Sequence, residues 1–256
     1  MVGVYRLAGM TVQIESVCSL VQDQCRAYRV CGSPDLTVAT TQADIGFERE
    51  KSAREDSAQG IPIRQFSDAY LETLAVYRKI AEKLPEFGTF LFHGSCIAVD
   101  GAGYLFTAKS GTGKSTHARL WRELLGNRAV MVNDDKPLLH VNGDGTAIAY
   151  GTPWDGKHRL SSNIAVPLKA ICILERSVEN TIREITKQDA LPLLIQQAYR
   201  PADPAALAKT LALIDRLNVG FYRLSCNMDI SAAELSYETM KNYNTSECVP
   251  VRERIK

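Results

Sequence analysis

Apolar and polar residues alternate in short runs over roughly the first 45 residues of the chain. The runs read VYRLAGMTVQIES, CRAYRVCG and LTVATT. A period of two is typical of strands that bury one face and expose the other. The pattern therefore predicts a small antiparallel sheet at the N-terminus.

Two helical or linking segments follow. Residues 48–60, EREKSAREDSAQG, are rich in charge and poor in apolar side chains, which is compatible with a solvated helix or with a linker. Ser67 can then cap a helix that ends before Pro85. Its apolar positions recur with helical spacing, so this stripe is expected to pack on the core and to carry no chemistry. The stripe consists of Tyr70, Leu74, Tyr77, Ala81 and Leu84.

From Phe90 onward, strands and turns replace the helical pattern. Two apolar strands flank residues 100–103, Asp-Gly-Ala-Gly, which predicts a hairpin. A helix is expected to run through Leu125 and to end at Gly126. The run RAVMV predicts a strand, LLHVNGDGTAIAYG a second hairpin that turns at residues 142–145, and LKAICILER a further strand.

The C-terminal third is mainly helical by the same criteria. Gln188 or Asp189 is expected to cap ALPLLIQQAYR, and Asp203 a second helix with Pro204 at its first position. A strand, VGFYRLSC, and a last amphipathic segment over residues 231–242 complete the pattern. One face of the second helix is apolar and consists of Leu207, Leu211, Ile214 and Leu217.

Composition excludes several classes of function. The 30 basic and 29 acidic residues leave a net charge of +1, so no excess charge indicates a nucleic acid or a membrane as partner. No apolar run approaches the ~20 residues that span a bilayer, and the N-terminus does not resemble a signal peptide. The seven cysteines show no CxxC spacing, which predicts reduced thiols and a cytoplasmic protein. A homo-oligomer is compatible with the sequence.

The run AKSGTGKSTHARLW, which starts at Ala108, matches the phosphate-loop pattern G-x-x-x-x-G-K-[ST] except that alanine replaces the first glycine. Glycine lets successive backbone N–H groups turn inward around phosphates. Lys114 would then reach the β- and γ-phosphates of ATP, and the Ser115 hydroxyl would bind Mg²⁺ or Mn²⁺. The alternative is a glycine-rich turn with a solvated lysine, but the preceding strand and following helix favour the phosphate loop. The predicted nucleotide-binding residues are Ser110, Gly111, Thr112, Gly113, Lys114, Ser115 and Thr116.

Two adjacent carboxylates, Asp134 and Asp135, follow the RAVMV strand about twenty residues after the loop. An acidic residue at such a strand end helps to hold Mg²⁺ in phosphate-loop enzymes. Packing two acids together tends to raise one pKa, which suits a general base. The alternative is a simple turn, since NDDKP is good turn chemistry. The loop upstream favours the catalytic interpretation.

The run HGSCIAVDGAGYLFTAKSGTGKSTHARLW…VMVNDD resembles the catalytic domain of HPr kinase/phosphorylase, in which His-Gly, a hairpin, an S-G-x-G-K-S loop and Asp-Asp follow in order. The loop and acid pair are also similar to phosphoenolpyruvate carboxykinase, and the TPW-x-G run resembles peptide-tailoring kinases that phosphorylate a serine. The resemblance covers residues 92–176. It implies that His93 lies beside the catalytic acid, that Asp134 takes the proton from the acceptor hydroxyl, and that Asp135 lies on the metal side.

Residues 151–159, GTPWDGKHR, stand where HPr kinases carry an E-x-R-G segment with a metal-binding glutamate. Asp155 could replace that ligand, and Lys157 or Arg159 could neutralise charge on the transferred phosphoryl group. Trp154 could form a wall for acceptor or nucleotide, and His158 belongs to the same substrate loop. The alternative is a surface loop with a half-buried tryptophan. His117 and His140 are expected to be structural.

Together these patterns and the resemblance predict an α/β fold of the HPr kinase/phosphoenolpyruvate carboxykinase type, with a mixed sheet, a hairpin before the phosphate loop and flanking helices. Residues 1–66 would form a β-rich portion with a charged linker, and residues 67–256 the kinase domain. The predicted function is an ATP-dependent kinase whose acceptor is a serine of a protein or peptide, or a small-molecule alcohol. The alternatives are a non-catalytic nucleotide-binding regulator and a carboxykinase-like lyase.

Overall fold

The structure is a computed structural model that describes residues 1–156 and 159–243. Its strands are β1 (Val2–Leu7), β2 (Met10–Glu15), β3 (Leu36–Ala39), β4 (Thr89–Leu91), β5 (Ser95–Val99), β6 (Ala102–Thr107), β7 (Ala129–Asn133), β8 (Leu138–Val141), β9 (Ala147–Tyr150), β10 (Ala165–Arg176), β11 (Thr181–Glu184) and β12 (Gly220–Cys226). Its α-helices are α1 (Ser19–Gln24), α2 (Gln42–Ala58), α3 (Asp68–Lys83), α4 (Lys114–Leu125), α5 (Lys187–Gln197), α6 (Pro204–Arg216) and α7 (Ile230–Met240).

The N-terminal sheet contains β1, β2 and β3. The β1–β2 pair is antiparallel as predicted, but β3 pairs parallel to β2, so the expectation of a purely antiparallel sheet is wrong. The run CRAYRVCG is not a strand either, because it forms the 3₁₀ helix Arg26–Tyr28 with one isolated bridge between Tyr5 and Arg29. Parallel neighbours need a crossover connection, and α1 with this 3₁₀ helix supplies it.

The charged segment 48–60 falls mostly within α2 and is therefore a helix over that part, not a linker. Thr41 and Asp44 form a capping box at its start. Glu48 is buried and pairs with Arg78 of α3 at 2.5 Å, so charged residues on α2 hold it against its neighbour. The N-terminal portion thus carries two α-helices beside its three strands.

Helix α3 begins as predicted, because the Ser67 side chain accepts the Tyr70 N–H at 3.3 Å. The predicted stripe is wrong at two positions: Tyr70 is 43% exposed and, with Leu74, lines a cleft. The helix is apolar on more than one side, so spacing alone does not identify the buried face. The buried apolar residues are Leu71, Ala75, Val76, Tyr77, Ile80 and Ala81.

One hydrophobic cluster crosses the predicted boundary at residue 66. Tyr5 and Ile14 of the small sheet share it with Ile80 of α3 and with Leu138 and Trp154 from the second half of the chain. The interior of the N-terminal portion is therefore continuous with α3 and with the segment that follows β9. The division into two parts stays a prediction.

The larger sheet is mixed, with the order β4-β8-β9-β10-β6-β5-β7 and with β12 joined to β10 and β11. Strand β10 is its longest member. Its first residues pair antiparallel with β9, the rest pairs parallel with β12, and β6 lies parallel along its other edge. The predicted mixed α/β architecture with a small N-terminal sheet is confirmed at this level, whereas β11 was not predicted.

Turns and caps follow the sequence with one exception. Asp100 and Gly101 have φ of 51° and 81°, the positive values that a two-residue hairpin between β5 and β6 requires. Helix α4 ends at Gly126 as predicted. The cap of α5 is Thr186 and not Gln188 or Asp189, because Asp189 is the third helical residue of a capping box.

Helix α6 starts at its predicted cap, where Asp203 accepts the Ala206 N–H at 2.9 Å. Its predicted face is partly wrong. Ile214 and Leu217 are buried, but Leu211 is 38% exposed. Among the helices of residues 1–156 and 159–243, none combines the length and the apolar character needed to cross a membrane.

Glu72 of α3 is a fully buried carboxylate that holds the start of α1. It accepts the backbone N–H of Val17 at 2.6 Å and of Cys18 at 2.7 Å, and the Thr40 hydroxyl at 2.6 Å. Burial alone would raise the pKa of Glu72, but these hydrogen bonds outweigh it and the pKa is lowered. A buried anion is stabilised here by donors and not by a paired cation.

Replacing Glu72 by Gln is expected to lower the free energy of unfolding by about 2 kcal/mol at neutral pH, since one carboxylate oxygen becomes an amide donor. The pKa of Glu72 is lower in the folded state than in the unfolded chain, where it is about 4.3. The carboxylate therefore contributes its full stabilising free energy above a pH of about 4.3, and this contribution is lost as the pH falls. Thermal unfolding of wild type, Glu72→Gln and the exposed control Glu234→Gln at pH 7 and about pH 3.5 measures this. A difference in melting temperature that does not shrink in acid would contradict it.

Candidate active site

A cleft of about 1160 Å³ brings the predicted site residues together. The phosphate-loop region, the acid pair and the segment after β9 line it, together with parts of α1 and α3. Thr112 does not line the cleft, and Lys157 and His158 lie outside the described residues. The predicted residues that line it are His93, Ser110, Gly111, Gly113, Lys114, Ser115, Thr116, Asp134, Asp135, Trp154, Asp155 and Arg159.

The loop between β6 and α4 has the backbone that its glycines predict. Gly111 and Gly113 have φ of 77° and 123°, a region that side chains with a Cβ rarely adopt. Nothing lies within 4 Å of a Cβ at either position, so backbone conformation and not crowding calls for glycine. Ala108 is buried and has no positive φ, which explains why alanine is compatible with the first position of the pattern.

Lys114 stands at the first position of α4 and its Nζ donates to the Ala108 carbonyl at 3.2 Å. Burial lowers the pKa of Lys114, and the nearby charge of Asp135 acts in the opposite direction. Both residues line the cleft, so the lysine of the loop and the second acid of the pair face a common space. An anion in that space would meet a partly desolvated ammonium group.

Arg176, the last residue of β10, contacts the backbone of the loop and was not predicted. Its guanidinium donates to the Gly111 carbonyl at 2.5 Å and to the Thr112 carbonyl at 3.4 Å. A carbonyl and the following N–H point in opposite directions in a planar trans peptide, so this contact orients the loop backbone. The parallel pairing of β10 with β6 places Arg176 there. The sequence alone does not show this pairing, so it could not identify Arg176 as a neighbour of the loop.

Asn133 shapes the acid pair and was also not predicted. Its Oδ1 accepts the N–H of Asp135 at 2.9 Å and of Lys136 at 2.6 Å, and its Nδ2 donates to Thr152 Oγ1 at 2.9 Å. The segment NDDKP therefore does form a turn. The Asn133 side chain stabilises it by accepting the backbone N–H groups two and three residues further along the chain. The turn presents both acids to the cleft, so turn chemistry and a functional role are compatible.

Asp134 is 6% exposed, and its Oδ1 accepts the Gly156 N–H at 2.6 Å. Asp155 lies close to it. Burial raises the pKa of Asp155, the Ser161 N–H opposes this, and the charge of Asp134 raises it further. The carboxylate that shares the environment of Asp134 is therefore Asp155.

Asp135 has a different environment. Burial would raise its pKa, but the hydrogen bond from His93 and the charges of Lys136, His93 and Lys114 lower it. His93 Nε2 lies 3.3 Å from Asp135 Oδ1. The pKa of Asp135 is therefore lowered, and Asp135 is not the acid whose pKa is raised by packing of the pair. The carboxylate that His93 contacts is that of Asp135, the acid expected on the metal side.

Trp154 is a core residue that also lines the cleft. It is 4% exposed, its ring stacks on Tyr77 with centroids 4.3 Å apart, and its Nε1 donates to the Thr73 carbonyl at 2.7 Å. The Tyr77 hydroxyl donates to the Lys136 carbonyl at 2.7 Å. Helix α3 thereby fixes both the segment around Trp154 and the acid-pair turn. The tryptophan is buried, so the alternative of a surface loop with a half-buried tryptophan does not describe it.

Two other histidines of the described residues, His117 and His140, lie away from these groups. His117 is buried, which lowers its pKa to about 4, and its Nε2 lies 3.1 Å from Ser236 Oγ. His140 Nδ1 lies 3.0 Å from Thr89 Oγ1. Neither lines the cleft. Within the described part of the chain, no three His, Cys, Asp or Glu side chains form a group that could hold a metal ion.

A comparison with protein families identifies the group to which the chain belongs. The model of the SynChlorMet cassette protein ScmC matches residues 63–202. The chain is a member of the ScmC family. The match includes α3, the loop between β6 and α4 and the acid pair, and the family description names no reaction.

Further comparisons give distant similarity or none. No curated protein matches the sequence of this ScmC-family chain. Among solved structures, the HPr(Ser) kinase/phosphatase from Coxiella burnetii is similar, with 13% sequence identity and a TM-score of 0.36. The match covers 58% of this chain and 95% of that chain. The likeness is distant, and the proposals below rest on the residues of the cleft.

Proposed function

We propose that this ScmC-family chain is an ATP-dependent kinase with an HPr kinase-like fold that transfers the γ-phosphate to a hydroxyl group. The observation that carries the proposal is that a phosphate loop and two buried or half-buried acids open into one cleft. Lys114 and Asp135 are close enough for each to affect the pKa of the other. Phosphoryl transfer needs positioning and charge stabilisation more than covalent chemistry from the protein.

The residues present fit a nucleotide that carries Mg²⁺ or Mn²⁺. The Ser115 hydroxyl and a carboxylate that stays ionised at neutral pH are oxygen ligands of the kind these cations prefer, and the lowered pKa of Asp135 meets that requirement. Bound there, the ion would offset negative charge on the phosphates. Asp155 and Arg159 stay candidates for a metal ligand and a charge-neutralising cation.

We assign proton transfer to Asp134. Its Oδ1 is held by the Gly156 N–H, so Oδ2 is the oxygen that we propose to accept the proton of the acceptor hydroxyl. The acceptor oxygen then forms a bond to the γ-phosphorus while the bond from that phosphorus to the bridging oxygen of ADP breaks. Lys114 and the loop N–H groups balance the charge on the phosphates during transfer.

The proposal is tested with purified protein, Mg²⁺ and γ-labelled ATP. The mixture is incubated separately with the desalted macromolecular fraction and the small-molecule fraction of the source cell. Label that reaches an acceptor with wild type but not with Asp134→Asn is the expected result. If nucleotide binds and neither fraction takes up label, the chain is better described as a nucleotide-binding regulator and the kinase proposal is overturned.

Arg176→Ala is expected to weaken ATP binding roughly 10-fold, because two loop carbonyls lose their donor and the backbone must be ordered by the nucleotide alone. The side chain is exposed, so the melting temperature of the free protein should stay close to that of wild type. Isothermal titration with ATP and Mg²⁺ measures the effect, with the exposed Arg183→Ala as the matched control. Equal dissociation constants for the two variants would remove Arg176 from the nucleotide site.

A further inference from the structure

We propose that the part of the cleft formed by α1, the adjoining 3₁₀ helix and α3 binds the phosphoryl acceptor through an apolar, uncharged side chain next to its hydroxyl, and that the acceptor is a peptide. This inference rests on the kinase function proposed above. The surface is called the acceptor wall here. It consists of Leu20, Gln24, Ala27, Tyr28, Tyr70 and Leu74.

The acceptor wall exposes apolar side chains inside a cleft. Leu20 is 36% exposed and Tyr70 is 43% exposed, and both lie in the same cleft as Lys114 and Asp134. Apolar groups that line a concave surface gain free energy when a ligand removes them from water, at about 25 cal/mol per Å². The continuity of the wall with the phosphate loop indicates that this ligand is the second substrate of the same reaction.

Charge on and near the acceptor wall disfavours an anionic acceptor. Asp23 and Asp155 line this region of the cleft, and Arg26 pairs with Asp23 at 2.6 Å. Arg26 offsets the charge of Asp23, so a phosphate or carboxylate on the acceptor would face the Asp155 carboxylate on this side.

The described cations of the cleft are placed elsewhere. Lys114 belongs to the phosphate loop, Lys136 lies 3.8 Å from Asp135, and Arg159 acts on the pKa of Asp155. Among the described residues, then, no lysine or arginine of the cleft is left to bind an anion at the acceptor wall. This charge pattern disfavours a phosphorylated or carboxylated metabolite as acceptor. Together with the exposed apolar side chains of the wall, it favours an acceptor whose hydroxyl has an uncharged, apolar neighbour.

Hydrogen bonds fix the acceptor wall relative to the acid pair. Gln24 Nε2 donates to the Pro153 carbonyl at 2.7 Å, and Asn163 Nδ2 donates to the Ala27 carbonyl at 2.9 Å. Tyr28 and Asp155 line the same cleft, and the charge of Asp155 adds to the effect of burial in raising the pKa of Tyr28. Because these hydrogen bonds already fix the acceptor wall, binding of an acceptor does not cost the entropy of ordering it.

The size of the cleft favours a peptide over a small alcohol. Its volume of about 1160 Å³ exceeds the roughly 300–1,000 Å³ that holds one drug-sized ligand. After a nucleotide occupies the phosphate loop, room is left for the acceptor residue and its neighbours. A small alcohol would leave most of the acceptor wall uncovered.

The first test compares serine peptides that differ only at the two residues beside the serine, which are Leu, Lys or Glu. Free serine and benzyl alcohol represent small acceptors. We expect the Leu-flanked peptide to have a kcat/KM at least roughly 10-fold above that of the Glu-flanked peptide, since an apolar contact and an avoided repulsion add. Equal values, a preference for Glu, or equal use of benzyl alcohol would overturn the inference, as would the absence of label on every peptide.

The second test uses variants of exposed wall residues. Leu20→Ala and Tyr70→Ala should raise KM for the Leu-flanked peptide roughly 10-fold while the dissociation constant for ATP stays unchanged. Tyr70→Lys should raise the relative rate on the Glu-flanked peptide. The control is Met228→Ala, at a position that is 77% exposed and lies outside the cleft. Unchanged KM in both alanine variants would contradict the assignment of the wall.

The failure of this inference and that of the kinase proposal are distinguishable. If cell fractions accept label from ATP but the peptides do not, the kinase function stands and the acceptor wall is wrongly assigned. If neither fractions nor peptides accept label, the kinase function itself is overturned.

Discussion

Lys114→Met is expected to reduce phosphoryl transfer on the order of 10³-fold, the largest loss from a single change in the loop. The ammonium group would balance the charge of the β- and γ-phosphates, and a thioether of similar length cannot do so. Because burial already lowers the pKa of Lys114, removing the charge should not destabilise the free protein. Affinity should fall for ATP and, to a smaller extent, for ADP, since the lost contacts are to the γ- and β-phosphates and ADP has only the second of them.

The matched control is Lys109→Met, because Lys109 lies in the same loop, is exposed and does not line the cleft. Rates of label transfer and the dissociation constants for ATP and ADP distinguish the two lysines. A similar loss in both variants would show that the loop tolerates no change at all. An active Lys114→Met enzyme would show that the loop does not bind the transferred phosphate.

Asp134→Asn is expected to reduce kcat by about 10³-fold while ATP affinity stays close to that of wild type, because the amide cannot accept the hydroxyl proton. The amide oxygen can still accept the Gly156 N–H that Oδ1 accepts at 2.6 Å in the wild type. The fold and the position of the side chain should therefore persist. Single-turnover transfer of label, with thermal unfolding as a check of folding, measures the change.

Asp135→Asn should behave differently, because we place that carboxylate on the metal side. A higher concentration of Mg²⁺ or Mn²⁺ should restore part of the transfer rate that Asp135→Asn loses. It should not restore the rate that Asp134→Asn loses. Asp215→Asn, on the exposed face of α6, is the surface control. If excess metal restores Asp134→Asn instead, the two acids have exchanged roles.

Local signals in the sequence predicted the parts of the site that depend on neighbouring residues. The strand, glycine-rich turn and helix around Lys114 lie within one short segment, and each has its own signature in propensity, turn chemistry and capping. The β5–β6 hairpin is of the same kind, because Asp100 and Gly101 specify the turn by themselves. Contacts over a few residues leave a pattern that can be recognised in a single chain.

Apart from Asn133 and the Thr186 cap, whose contacts are local, the parts that were missed depend on contacts between distant segments. Arg176 contacts a carbonyl 65 positions away, and Trp154 donates to Thr73, 81 positions away. Nothing near Arg176 in the sequence indicates the phosphate loop until the parallel β6–β10 pairing is known. The stripe on α3 was misassigned for the same reason, since Tyr70 faces the cleft only because α1 and the segment around Trp154 pack beside it.

The most direct test of the account is a crystal structure of the protein with Mg²⁺ and a non-hydrolysable ATP analogue. We expect the β- and γ-phosphates to contact Lys114 and the backbone N–H groups of the loop, and the γ-phosphate to face Asp134 and Asp135. The acceptor wall around Leu20 and Tyr70 should then be left uncovered. A nucleotide bound with its base on that wall, or with its phosphates away from Lys114, would contradict the account.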